Sequence, residues 1–143
     1  MKSLVAVFLM FVLGGQAYAG CSGISNNDQR KLCEARTNGG SCGSIDDRDL
    51  RYTCNAETGH GSCGSIDDSD QRKLCEARTN GGSCGSIDDR DLRYLCNAET
   101  GHGGCGSIDD SDQRKLCEAK TNGGSCGSID NNDLRNQCDA LKR

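Results

Sequence analysis

Across residues 20–143 the large apolar positions are few and evenly placed, with polar and acidic residues between them. In the stretch Cys42–Ser62, CGSIDDRDLRYTCNAETGHGS, residues Ile45, Leu50, Thr53 and Cys54 fall on one side of a 3.6-residue period. Leu74–Cys75 and Leu95–Cys96 are the equivalents further along. This predicts a helix of about ten residues over RDLRYTCNAET, stopped at Gly59 and followed by a Gly-rich loop. Asp46 and Asp47 are both good N-caps. With Asp46 as the cap, Asp49 completes a short capping box and Ile45 staples to Leu50; with Asp47, the helix starts one residue later. A helix this short is marginal alone, so it must pack on its neighbours.

Those neighbours are copies. Cysteines stand at 21, 33, 42, 54, 63, 75, 84, 96, 105, 117, 126 and 138, with gaps alternating between twelve and nine. The period is 21 residues, and six units begin at Cys21, Cys42, Cys63, Cys84, Cys105 and Cys126. A 42-residue period is superimposed: odd units read like DSDQRKLCEARTNGGS at 68–83, even units like DRDLRYLCNAETGHG at 89–103. The expected fold is all-α, a disulfide-stapled, solenoid-like tandem array of six 21-residue helix–loop units. The 42-residue alternation fits antiparallel helix hairpins stacked in a row, while a coil of single helices, all parallel, is the other packing open to it.

Pairing cysteines twelve apart (Cys21–Cys33, Cys42–Cys54, Cys63–Cys75, Cys84–Cys96, Cys105–Cys117, Cys126–Cys138) uses all twelve. Pairing them nine apart strands Cys21 and Cys138. The end effect favours the first register, and the second would allow head-to-tail joining of molecules.

The first 19 residues differ in kind. Lys2 precedes an apolar run of ten at Leu4–Leu13, and Ala17-Tyr18-Ala19 supplies a small-residue cleavage site, so residues 1–19 read as a secretory signal peptide cut after Ala19. Ten apolar residues reach about 15 Å as a helix, too short for a membrane span. A lipid anchor on Cys21 is the competing reading, but it would leave an odd number of cysteines. Every Val, Phe and Met lies within the first twelve residues, and the chain has no Pro or Trp. The large apolar side chains of residues 20–143 are six Ile, eight Leu and Tyr52 and Tyr94, too thin a core to dispense with cross-links. Removing Lys2 with the leader takes the formal charge from −4 to −5, which disfavours nucleic acid as a partner.

Several residues invite chemistry. Cys54-x5-His60-x2-Cys63 and Cys96-x5-His102-x2-Cys105 have zinc-like spacing, but four of the six units keep the cysteines without the histidine, so His60 and His102 read as loop residues. Asp46, Asp47 and Asp49 suggest calcium, yet the Gly and Glu that an EF-hand loop requires are missing, so the acids read as caps. Arg51 and its copies at 30, 72, 93, 114 and 135 stand one turn after the cap and, where the cap is Asp, suggest i,i+4 ion pairs. The threonines at 37, 58, 79, 100 and 121 form a ladder along the repeat, too widely spaced for an ice-binding surface. Neither a shaped pocket for catalysis nor a C-x-x-C redox pair is evident, so no enzyme, cofactor or metal site is expected.

The motif C-x-S-I-x-D-x-D-x-R-x-x-C-x-A, intact from Cys42 to Ala56 and again from Cys63, Cys84 and Cys105, resembles the tandem Cys-rich repeats of exported bacterial proteins of unassigned function. Unit 1 departs from it in Cys21-Ser22-Gly23-Ile24-Ser25. The resemblance implies the periplasm or cell exterior and brings no activity. The expected function is therefore an exported, non-enzymatic scaffold for protein contacts, self-association or a cell-surface structure. A metal-ion binder and a secreted inhibitor or antimicrobial toxin are the alternatives.

Overall fold

The computed structural model describes residues 19–142. The signal peptide expected over 1–19 lies outside this range except for the backbone of Ala19. A short helix α1 (Ala19–Ser22) is followed by six longer ones: α2 (Asn27–Asn38), α3 (Arg48–Glu57), α4 (Ser69–Asn80), α5 (Arg90–Glu99), α6 (Ser111–Asn122) and α7 (Asn132–Leu141). Short 3-10 turns carry Cys42, Cys63, Cys84, Cys105 and Cys126 into units two to six, and there is no strand among the described residues.

The cap register is the same in every unit. Asn26, Asp47, Asp68, Asp89, Asp110 and Asn131 are the N-caps, each side chain accepting the amide three residues on, as Asp47 does from Leu50 at 2.8 Å. Asp46 is not a cap, and Asp49 does not close a capping box; its carboxylate is used elsewhere. The 42-residue alternation appears at the helix C-termini. The helices of the odd units, α2, α4 and α6, run two residues longer and end on Gly39, Gly81 and Gly123 at φ of 69°, 70° and 72°, a left-handed cap that glycine adopts without strain. In units two and four, α3 and α5 end at Thr58 and Thr100, and Gly59 and Gly101 then take the positive φ.

All six disulfides join cysteines twelve apart, with Cα–Cα distances of 5.5–5.8 Å. Each bridge ties a helix to the turn that precedes it. The isoleucine between them is sealed: Ile24, Ile45, Ile66, Ile87, Ile108 and Ile129 are at most 1% exposed. The core is divided into small clusters, one per junction between units. Leu32 and Ala35 of α2, for example, pack on Ile45, Cys42 and Cys54 of the next unit, with Leu50 against them. No unit buries its isoleucine alone, so each helix depends on the one before it.

Of the two packings left open by the sequence, the helices adopt the parallel one, and 42-residue antiparallel hairpins are not formed. Asp28 in the first turn of α2 reaches the amides just before α3, while Arg36 in its last turn reaches Glu57 in the last turn of α3. Like ends are therefore side by side. The array is also closed. α7 packs on α1 and α2, and the contact made at each junction recurs between the sixth unit and the first. The six units form a ring of parallel helices in which each repeat turns on average one sixth of a circle from the one before it.

Candidate functional site

Parallel helices packed about 8–10 Å apart around a closed hexagon also stand about 8–10 Å from its axis. Side chains aimed inward must then line the centre. The sequence places three such positions on each helix, at i, i+3 and i+7, seen in α2 as Gln29, Leu32 and Arg36. Nearest the helix N-termini the layer alternates Gln29, Leu50, Gln71, Leu92, Gln113 and Leu134. In the middle lie Leu32, Thr53, Leu74, Leu95, Leu116 and Gln137. Together they surround an axial cavity of about 640 Å³ to which all six helices contribute.

The third layer, at the C-terminal rim, is a belt of alternating charge. Arg36 grips Glu57 through two bonds of 2.5 and 2.9 Å, and Glu57 also accepts from Arg78 at 3.3 Å. Arg78 in turn grips Glu99 at 2.6 and 3.0 Å, and Glu99 accepts from Lys120 at 2.9 Å. Burial opposes ionisation of Glu99, but Arg78 and Lys120 outweigh it and hold its carboxyl below the usual range. Burial likewise works against the charge on Arg78, and Glu99 and Glu57 overcome it. The sixth place in this belt, where alternation calls for an acid, is Leu141, 37% exposed.

The N-terminal rim is a ring of carboxylate clamps. Asp28, Asp49, Asp70, Asp91 and Asp112 each accept two consecutive backbone amides of the following unit at 2.8–3.1 Å. Asp133 closes the ring by taking Ser25 at 2.8 Å and Asn26 at 3.2 Å. The donated amides hold the carboxyls of Asp28, Asp49, Asp70, Asp112 and Asp133 below the ordinary Asp value. Sequence reasoning saw these acids as caps and missed this use. The available signal was that a second acid recurs two residues past the cap in every unit, including the units whose cap is Asn.

The remaining candidate residues are each drawn into local structure. Arg51 and its five copies donate to the carbonyl of their own unit's isoleucine, Arg51 to Ile45 at 2.7 Å, instead of pairing with the cap residue. The threonine ladder hydroxyls donate to the carbonyl four residues back, Thr58 to Cys54 at 2.8 Å. Cys54 and Cys63 are bonded to Cys42 and Cys75, so no thiolate is left beside His60; Cys96 and Cys105 are likewise engaged beside His102. His60 and His102 are exposed, each with Nδ1 at 3.2 Å from the threonine hydroxyl two residues earlier. Asp46, Asp47 and Asp49 do not converge: Asp46 is 90% exposed, Asp47 caps its own helix and Asp49 clamps the next unit. No group of three or more His, Cys, Asp or Glu among the described residues is placed to hold a metal ion.

The junction between units six and one is built differently. Where Lys31 donates to the Ser44 carbonyl, Asn136 donates to Gly23 at 2.9 Å; where Arg48 pairs with Asp67 at 3.0 Å, the corresponding residues are Asn132 and Ser25. Gln137 reaches Gln29 across the junction at 3.4 Å. Gly20 lies so close to α7 that a Cβ there would stand 2.7 Å from that of Ala140. The class of protein this defines is an all-helical, disulfide-stapled ring of tandem repeats. Its six internal disulfides fit an oxidising environment, and no helix among the described residues is long and apolar enough to cross a membrane. Comparison of the chain with protein-family models, with curated proteins and with solved structures found no match.

Proposed function

We propose that residues 20–143 are an exported, non-enzymatic scaffold, secreted or held in a bacterial envelope, that presents repeated surfaces to protein partners or to further copies of itself. The observation that carries this reading is the closed ring. Closure uses the Asp clamps and the inward stripes on structure, and leaves the outer wall as a surface repeated around one axis and varied at the junction of units six and one. Because units alternate, the surface repeats every second unit, which suits up to three equivalent partners and the avidity that repetition brings. The exposed faces are polar, with Asp46 and Asp130 at the N-terminal rim 90% and 92% exposed. Such contacts would be charge-guided and salt-sensitive.

The test is fractionation of the native source with intact-mass and disulfide mapping. The expected result is a protein starting at Gly20 in the exported fraction, oxidised at all twelve cysteines, and in a complex that sediments faster than a single ring and dissociates in high salt. A free single ring in every fraction at every salt concentration would overturn the reading.

A further inference from the structure

We propose that the C-terminal mouth of the ring is a binding site for a monocarboxylate with an apolar body, a medium-chain fatty acid in chemical class. Its carboxylate would sit between Lys120 and Arg36, where the charge belt lacks its sixth member.

The belt itself shows what such a group would meet. Glu57 and Glu99 each stand between two cations and bond to both, at 2.5–3.3 Å. An anion between two cations in this ring is therefore within reach of both. Leu141 occupies the equivalent place on α7 and lines the same rim cavity as Lys120 and Arg36. The five charged members sum to one net positive charge. The side chains of Arg36 and Lys120 are about one quarter exposed, so a carboxylate arriving there meets cations held partly against the protein, and its hydrogen bonds to them are charge-assisted.

The apolar half of the ligand is specified by what lies beneath. Arg36, Arg78 and Lys120 line both a rim cavity of about 400 Å³, which includes Leu141, and the axial cavity of about 640 Å³, walled one turn deeper by Leu32, Leu74 and Leu116. The volume is in the range of small-molecule sites, and beneath the charged belt the leucines form an apolar layer interrupted by Thr53 and Gln137, with Gln29, Gln71 and Gln113 nearer the N-terminal rim. A ligand with one charge at the mouth and an alkyl chain directed along the axis matches both halves. A dianion or a polyphosphate does not, because Glu57 and Glu99 already balance two of the three cations.

The experiment is titration of sodium octanoate into the oxidised protein, followed by calorimetry and by backbone amide NMR. The expected result is saturable one-to-one binding with the largest shifts at Leu141, Lys120 and Arg36. Leu141→Glu supplies the missing acid internally and should weaken binding by about tenfold or more, with an unchanged or raised thermal midpoint that excludes misfolding. Arg36→Gln and Lys120→Gln should each weaken it several-fold. Octanol, with the same chain and no charge, should bind at least tenfold more weakly. No saturable binding, or equal binding by the Leu141→Glu protein or by octanol, would overturn the proposal.

Discussion

Asp133 holds Ser25 across the closure of the ring: its Oδ1 accepts the Ser25 amide at 2.8 Å, between residues 108 apart in sequence. The same bond joins Asp28 to Asp46 and Asp112 to Asp130, but those junctions are also linked through the chain. At the closure only noncovalent contacts act. Replacing Asp133 by Asn should therefore expose the Ser25 and Asn26 amides to exchange about tenfold faster while leaving those of units three and four protected. The same change at Asp70 should raise exchange at Asp88 and Asp89 far less. Equal responses at both sites would show that closure is not the weak junction.

Acid should open the ring. The carboxyls of Asp28, Asp49, Asp70, Asp112 and Asp133 are held below their unfolded value by amides that exist only in the folded ring. A lowered folded pKa contributes stability that is present above the unfolded value, about 3.9, and lost as pH falls through the folded one. The ring should thus hold through neutral and mildly acidic pH and lose stability below about pH 4, seen as a growing radius of gyration with helical signal retained by the disulfides. A radius that is constant to pH 2 would refute the clamp account.

The bridges and the isoleucines should be separable. Thiol reduction is expected to abolish most of the helical circular dichroism, because each small cluster includes cysteines of its own unit's bridge. Removing only Cys84–Cys96, as a double Ala variant, should cost about 3 kcal/mol for a closed loop of this length. Urea unfolding of the oxidised variant measures it.

Ile66→Ala should cost about 2–5 kcal/mol, since Ile66 is 1% exposed and packs on Ala56 of the preceding helix and on its own Cys63–Cys75 bridge. Ile45→Ala should cost a similar amount, because all six isoleucines occupy equivalent sites. Denaturant midpoints decide this; a neutral effect at either site would contradict the junction-by-junction core.

The closure can be made covalent. Six residues separate Ala98 from Cys105, as in every internal unit, whereas Ala140 is followed by Leu141, Lys142 and Arg143, and Cys21 is preceded by Gly20. Joining Arg143 to Gly20 through two added residues restores the internal spacing. A permuted chain linked this way and begun at Gly82 should form the same six disulfides and give the same small-angle scattering curve. Scrambled pairing would mean that closure depends on the free ends.

Much of this protein is determined by its sequence alone. Cap, stripe and stop are local, so Asp46 or Asp47, Leu50–Cys54 and Gly59 announce the helix, and of the two periodic registers that twelve cysteines at alternating gaps offer, only pairing twelve apart leaves no end cysteine over. Helix direction, closure and the inward face are set by the rotation between one unit and the next, a property of packing that no residue within a unit carries. Asp49 shows the difference. Read along the chain it is a helix-end acid; only when the next unit is laid beside it do the amides of Asp67 and Asp68 come within 2.9 Å and turn it into the clamp between repeats. In the same way Arg36, Glu57, Arg78, Glu99, Lys120 and Leu141 lie 21 residues apart and become a belt with one gap solely because the array bends back on itself.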